Sequence, residues 1–453
     1  MRLPSPPPVL PPPSDPEEST SQMLDLLGFQ RAHPAFVRAA NAAYQPWDEL
    51  RRRPLPSGAS LVTAWRAVRE VRAHNLRDLP LHDRHGLPFQ YWITDEVLQR
   101  LLRIEAAATD PFGLALGDGK TPPHQRQHLR ASMIEEAVNS SLIEGAATTR
   151  REARRLLEQG RPARDRSEQM IVNNFRTIEL LDDLVHEPLS PAVVFEIHRS
   201  MTHGTLDDPR DAGRLQAPGE DRVMVMDDEG QVLHRPPEAP ALPERLQRLC
   251  DFANATEPFV PDTLKAIMLH FQLAYDHPFV DGNGRTARAL FYWFLLRRGH
   301  RLIRYLTISR SILDSRKQYA RAYLYSEQDQ DLTYFLLYHL QVYERALHGL
   351  GDYLRRKRGE AREALEALAR WPQLNGRQKQ LLRVLVRGGD TLLTAREHAN
   401  ANGVTHQTAM HDLKVLCAEG LVVARPSGRQ TYFAPATDLV AKIEAGPLPR
   451  GGC

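Results

Sequence analysis

The sequence predicts a mostly α-helical protein that carries one short β-hairpin and ends in a winged helix-turn-helix. Three observations carry that fold class. Apolar residues recur at helical spacing through most of the chain, as Leu264, Ile267, Met268, Phe271 and Ala274 do. Short β-prone runs, Arg222–Met226 and Val232–His234, flank the acidic turn Asp227-Asp228-Glu229-Gly230 and read as a hairpin, which Pro236-Pro237 closes. From about residue 373, three short helical patterns precede two β-prone runs.

Residues 1–34 read as a disordered, proline-rich tail. Two proline runs remove backbone donors and fix φ, and Asp15, Glu17, Glu18, Ser19 and Thr20 follow them. Such a tail is either solvated or held by a partner that reads proline-rich segments. Residues 35–120 form an N-terminal helical region, with helical pieces from Leu61 to Arg77 and from Thr94 to Ala108. Its aromatic residues Tyr44, Trp47, Tyr91 and Trp92 are core anchors or, near the basic Arg51-Arg52-Arg53, a docking surface.

Residues 121–350 are the core. Between Gln125 and Gln159, Ile134, Ala137, Val138 and Leu142 keep helical spacing until Gly145 breaks the run. Glu144 then stands at a helix C-terminus, where a carboxylate opposes the helix dipole and calls for a cationic partner. Helices over Glu168–Leu184 and Ala192–Met201 follow, with His198 as a core histidine. Beyond the hairpin, a helix begins near Ser315 and another pattern runs from Leu332 to about Arg370. Its end, 351–372, is a basic linker helix closed by Trp371-Pro372.

The chemistry concentrates in His277-Pro278-Phe279-Val280-Asp281-Gly282-Asn283-Gly284-Arg285-Thr286-Ala287-Arg288, a tight loop between two apolar helices. Glycines at 282 and 284 let consecutive N–H groups turn inward as an anion nest. The helix N-terminus that follows adds free donors and partial positive charge, which suits phosphate. Arg285 and Arg288 offer guanidinium forks, and Asp281 is a hard oxygen ligand placed to hold Mg²⁺ against the same phosphates. His277 is the side chain here that can take a proton near neutral pH. Together they describe a nucleotide-phosphate site with a general base at its mouth.

The loop resembles the signature of the Fic family, His-x-Phe-x-Asp/Glu-Gly-Asn-Gly-Arg-x-x-Arg, at every fixed position. Residues 140–145 resemble that family's inhibitory motif, Ser/Thr-x-x-x-Glu-Gly/Asn, through Ser140, Glu144 and Gly145. The resemblance implies a Fic-type helical core whose hairpin is a flap that holds the target segment by strand addition. It implies AMP transfer from ATP, with Mg²⁺, to a Ser, Thr or Tyr hydroxyl of a protein substrate or of the chain itself. Residue by residue, His277 would deprotonate the hydroxyl and Asp281 hold Mg²⁺. Gly282, Asn283 and Gly284 would cradle the α-phosphate, and Arg285 and Arg288 bind the outer phosphates, with Thr286 and Ala287 in the same nucleotide-binding run. Phe279 would anchor the loop. Gln318 and Tyr319 would help enclose the nucleoside, although Tyr319 reads equally as packing. Glu144 would pair with Arg288 and keep the γ-phosphate from seating productively, or align a water that removes AMP. Asp276 stands where many relatives have an apolar residue; it orients or stabilises His277, or faces water.

The last unit, 373–437, is the winged helix, and 438–453 is a C-terminal tail. Gln378–Val386 is a short helix, Thr394-Ala395-Arg396-Glu397 a capping box, and Thr405 the cap of a third helix through Leu416. Leu421-Val422-Val423 and Thr431-Tyr432-Phe433 flank Pro426-Ser427-Gly428 as the wing. On the third helix Ala409, Leu413 and Leu416 face inward, leaving Gln407, His411 and Lys414 to read DNA bases, with Arg425 and Arg429 on phosphates. Protein contact is the other use of such a unit. An alternative to the enzyme is therefore a nucleotide-sensing, DNA-binding regulator, against which an intact His277 argues.

Composition sets wider bounds. The 453 residues suffice for two or three domains, and a net charge of +3 is too weak to indicate nucleic acid by itself. Cys250, Cys417 and Cys453 have no metal spacing and suggest a reducing compartment. No apolar run is long enough for a membrane span, so the expectation is a cytoplasmic protein without membrane contact, with a homodimer as one allowed assembly.

Overall fold

The computed structural model describes residues 4–8, 16–108, 123–226, 230–388, 392–427 and 430–447. The chain divides into two compact units, one of residues 1–109 and 133–346, the other of 110–132 and 347–453.

In the first unit the expected tail is in large part a helix. α1 (Pro16–Ala32) buries Leu26 and Phe29 against Val37 of α2 (Pro34–Ala42) and Ala64 of α4 (Leu61–Ala73). A short α3 (Trp47–Leu50) lies between them. Three positions separate Leu26 from Phe29, which puts both on one face of the helix. The N-terminal region is not a separate domain either. Arg72, wholly buried, donates to Asn41 Oδ1 (2.8 Å), to the Tyr334 hydroxyl (2.6 Å) and to Gln45 O (2.8 Å). Its guanidinium also lies 4.2 Å from the Tyr44 ring centroid, a cation–π contact out of reach of water. Tyr44 and Tyr91 are buried, which makes them the core anchors rather than a docking surface.

A hairpin absent from the sequence reading, β1 (Arg77–His82) with β2 (Pro88–Tyr91), precedes α5 (Asp95–Ala108). Then come α6 (Pro123–Ile143), α7 (Arg150–Gln159), α8 (Arg166–Leu184) and α9 (Pro191–Thr202). Ser190 and Asp165 cap α9 and α8 through their side chains. The expected flap is present as β3 (Val225–Met226) antiparallel to β4 (Val232–His234), while its acidic turn at 227–229 lies outside the described residues. At its base, His234 Nε2 stands 2.7 Å from Tyr275 O.

The centre of this unit is α11 (Asp262–Asp276) against α12 (Asn283–Arg297), preceded by α10 (Leu242–Asn254). A helix that is apolar all round must be buried all round, and α12 is: Leu290, Phe291, Trp293 and Leu295 are each at most 2% exposed. α13 (Ile308–Leu313), α14 (Arg316–Asp329) and the start of α15 (Thr333–Ala367) complete it.

In the second unit, α16 (Gly376–Gly388), α17 (Ala395–Asn402) and α18 (His406–Ala418) accompany a three-stranded sheet of order β5-β7-β6. Its strands are β5 (Leu393–Thr394), β6 (Val422–Ser427) and β7 (Gln430–Pro435). Thr394 and Glu397 form the expected capping box, and Thr405 caps α18. Two boundaries differ from expectation. The end of the linker helix joins this core through Ala364, Ala367 and Leu368, and the tail contributes α19 (Leu439–Ala445) with Leu439 and Ile443. Trp371 clasps them, its indole N–H donating to Ile443 O at 3.1 Å.

Candidate active site

The site is the turn between α11 and α12. α11 stops at Asp276 because Pro278 has no N–H and disfavours helical backbone in the residue before it. His277 takes the left-handed conformation, φ 45° and ψ 53°. For a residue with a Cβ this strain is on the order of 1–3 kcal/mol. Its Nδ1 lies 3.3 Å from Ala274 O. A carbonyl only accepts, so Nδ1 carries the proton and Nε2 keeps a lone pair. Burial pulls the imidazole pKa down to about 4, and the ring is neutral at neutral pH.

The loop is braced from below. Phe279 is fully buried and stacks on His198 with ring centroids 3.8 Å apart. The Gly213 N–H donates to His198 Nδ1 (2.8 Å), which leaves Nε2–H to donate to Asp281 O (2.9 Å). His198 is thus more than a core histidine: it fixes the loop backbone, and burial keeps it neutral with a pKa near 4. The Asn283 side chain accepts from Phe279 N–H (2.9 Å) and donates to Phe279 O (2.8 Å). Gly282, at φ 81°, has no room for a side chain, since a Cβ would approach Thr202 Cγ2 to 2.6 Å.

Thr286 N–H is bonded to Gly282 O at 2.9 Å, so the N–H groups of Asn283, Gly284 and Arg285 precede the helical ladder and lack an intrahelical acceptor. They form the donor rim for an anion. Thr286 and Ala287, expected among the nucleotide contacts, belong to the core instead. The Thr286 hydroxyl donates to Gly282 O (2.8 Å), and Ala287 is fully buried. Arg285 also departs from expectation. It is fully buried, with Nη2 3.3 Å from Asp281 Oδ2 and Nη1 3.3 Å from Met201 O, so it braces the carboxylate rather than reaching outward.

Arg288 is held by the end of α6. Its Nε donates to Ser140 Oγ (3.0 Å), and its Nη2 to Ser140 O (3.0 Å) and Glu144 Oε1 (2.9 Å). The Glu144 carboxylate also lies directly over Gly284, where even a methyl group would collide with it. It therefore covers the donor rim as well as the arginine. Gly145 turns the chain away at φ 86°, and Arg316 donates to Ile143 O (2.8 Å), supplying a cation at the helix C-terminus.

Asp281 receives Gly282 N–H at 2.5 Å, Arg285 at 3.3 Å and Arg166 at 3.2 Å. Burial raises its pKa, but Arg285, the Gly282 N–H and Arg166 outweigh that and hold it below the usual carboxylate value. No cluster of three or more His, Cys, Asp or Glu suited to an ion exists among the described residues. A lone, part-exposed carboxylate fits Mg²⁺ that arrives with phosphates, because that ion takes one or two carboxylates plus phosphate oxygens and water.

Asp276 neither touches the His277 ring nor faces water. It is buried against Arg245 (2.8 Å to Nε) and Gln272 (2.9 Å), and burial raises its pKa. Gln318 is exposed on α14. Tyr319 sits among Phe335, Tyr338 and His339, its hydroxyl 3.2 Å from His270 Nε2, which is the packing arrangement. Sequence reasoning names His198 only as a core histidine and does not find Arg166 or Arg245, whose partners are far away along the chain.

Residues 188–295, which contain the hairpin and the loop, match the model of the Fic/DOC family. The chain is similar to the protein adenylyltransferase Fic of Nematostella vectensis, with 34% identity over 107 residues, 23% of this chain and 22% of that protein. It is also similar to the protein adenylyltransferase fic-1 of Caenorhabditis elegans, with 28% identity over 183 residues, 38% of this chain and 34% of that one. The matches thus span well under half of these relatives. A Fic family protein from Desulfovibrio desulfuricans has the same fold, with a TM-score of 0.51 and 19% identity over 80% of this chain and 99% of its own. Among the described residues, no helix is long and apolar enough to cross a membrane.

Proposed function

We propose that this chain transfers AMP from ATP to a Ser, Thr or Tyr hydroxyl of a protein, itself included, and that Glu144 restrains the reaction. The observation that carries the reading is His277, with its free Nε2, on the same loop as a helix N-terminus and a carboxylate. Nε2 takes the proton of the target hydroxyl, whose oxygen bonds to the α-phosphorus. The bond from that phosphorus to the oxygen bridging to the β-phosphorus breaks, and pyrophosphate leaves. The N–H groups of Asn283, Gly284 and Arg285 stabilise the charge on the transferring phosphate. Mg²⁺, carried in with the triphosphate and held by Asp281, would offset phosphate charge.

Glu144 opposes this by occupying Arg288 and covering Gly284. Parting this pair strands the Arg288 charge, 4% exposed, while Glu144, 29% exposed, regains water, so the cost lies below the roughly 3–5 kcal/mol of a fully buried pair. Removal of AMP is a second activity proposed for the same site, with the Glu144 carboxylate aligning a water. Incubation with ATP labelled in the α-phosphate tests the reading: label on protein supports it, and no label with parent or Glu144→Gly protein counts against it.

A second reading, DNA binding by the C-terminal unit as a winged helix, is favoured by one observation. Gln407, His411 and Lys414 are exposed on α18 while Ala409, Leu413 and Leu416 are buried. Arg425 is exposed as well, and Arg429 lies outside the described residues. Binding of duplex fragments at two salt concentrations tests it.

A further inference from the structure

We infer that Arg166 is a built-in stand-in for the metal ion: it fills the open side of the Asp281 carboxylate until Mg²⁺ displaces it. This rests on the Mg²⁺–ATP reading of the site.

A carboxylate offers about four acceptor directions. At Asp281 three are taken, by Gly282 N–H on Oδ1 and by Arg285 and Arg166 on Oδ2. The two arginines are not equivalent. Arg285 is wholly buried and tied to Met201 O, so it stays. The Arg166 side chain is 55% exposed, and its Nη2 is 3.2 Å from Asp281 Oδ2. One direction remains, on Oδ1; a cation closing there at about 2.0–2.1 Å would meet the Arg166 guanidinium charge beside it, and closing on Oδ2 would need the lone pair that Arg166 holds.

Arg166 has somewhere to go. A cleft of about 290 Å³ opens beside it, lined by Ala163, Arg164, Asp165, Gln169, Gly204 and Asp207. Asp207 already lies 3.4 Å from the other end of the guanidinium and is almost fully exposed. Swinging into that cleft gives up Asp281 and keeps Asp207, so the arginine is not left unpaired. Helix stability does not account for its position, since Arg166 opens α8 and a cation at a helix N-terminus opposes the dipole. The site at rest therefore holds a surrogate for each charge of its ligand. Glu144 stands for phosphate at Gly284 and Arg288, and Arg166 stands for the metal at Asp281.

The test is calorimetric titration of the full chain with α,β-methylene-ATP across a series of Mg²⁺ concentrations. The Mg²⁺ needed for half-maximal affinity is compared among parent, Arg166→Ala, Arg166→Lys and Arg166→Glu, with thermal unfolding as the folding check. Exposed ion pairs contribute modestly, so Arg166→Ala should lower that concentration about two- to five-fold. Arg166→Glu should lower it further by adding a carboxylate, and Arg166→Lys should stay near parent. If the parent binds the analogue without regard to Mg²⁺, the metal reading fails and the inference with it. A metal-dependent parent with an unchanged Arg166→Ala overturns the inference alone. Weaker binding of Arg166→Ala and Arg166→Glu at every Mg²⁺ concentration makes Arg166 a phosphate contact and overturns it too.

Discussion

Glu144–Arg288 and Arg166–Asp281 both flank the turn between α11 and α12, at 2.9 and 3.2 Å, yet the arginine of one is closed to water and the arginine of the other is open to it. Arg288 is 4% exposed and Glu144 29%, against 55% for Arg166 and 39% for Asp281. The difference is one of energy scale. Arg288 has given up its hydration and depends on Ser140 and Glu144, so parting it from them is expensive. Arg166 keeps most of its water and a second partner in Asp207, so its release is cheap and sensitive to salt. Phosphate must compete with a strong surrogate and the metal with a weak one. For the proposed reaction, the Arg288 pair is therefore expected to set the resting activity, and the Arg166 pair only the Mg²⁺ requirement.

Neither pair performs chemistry, and the largest expected effect separates occupancy from reaction. His277→Ala should reduce AMP incorporation by about 10²–10⁴-fold while nucleotide affinity stays close to parent. Unchanged incorporation would mean that both pairs guard something other than this reaction. Next in size, His198→Ala should destabilise the first unit by about 2–4 kcal/mol, because it removes a buried stack on Phe279 and a bond to Asp281 O. A denaturant midpoint equal to that of the parent would show that the loop does not depend on this brace.

Acid should erode the same brace. His198 and His277 are both held near pKa 4 by burial, below the value of about 6.5 in an unfolded chain. Between those values the unfolded chain binds protons that the native state refuses, so stability should fall as pH drops from about 6.5 towards 4. The slope for the buried His198 is on the order of 1 kcal/mol per pH unit. Melting temperatures that stay flat across that window would contradict it. The smallest effect concerns the second unit: Lys414→Ala should weaken any DNA binding and flatten its salt dependence by about one unit of slope. No DNA affinity even in low salt would favour protein contacts for α18.

The chemistry was legible where it is local. Twelve consecutive residues hold the base, the carboxylate, the glycines and Arg288, and the adverse dipole at Glu144 calls for a cation, which Arg288 supplies. What could not be read is what closes across the fold. Arg166 and Asp281 are separated by 115 residues, His198 and Asp281 by 83, and Asp276 meets Arg245 from 31 residues away. Local spacing says nothing of such pairs. Arg285 is a different case: Asp281 is only four residues away, and what the spacing does not show is that Arg285 is wholly buried and tied to Met201 O. α1 is hard to read from the sequence for a different reason: its buried face is little more than Leu26 and Phe29, and prolines precede it. The trace of a helix in so polar a segment is faint.

The central claim is that a carboxylate standing in for phosphate keeps this site idle. Incorporation of α-phosphate-labelled AMP by Glu144→Gly, beside the parent and the Glu144→Gly/His277→Ala double variant, tests it most directly. Freed of the carboxylate, Arg288 and the donor rim at Gly284 should seat the triphosphate, and labelling should rise well above the parent and vanish in the double variant. A folded Glu144→Gly protein that binds Mg²⁺–ATP and labels no faster than the parent would contradict the account.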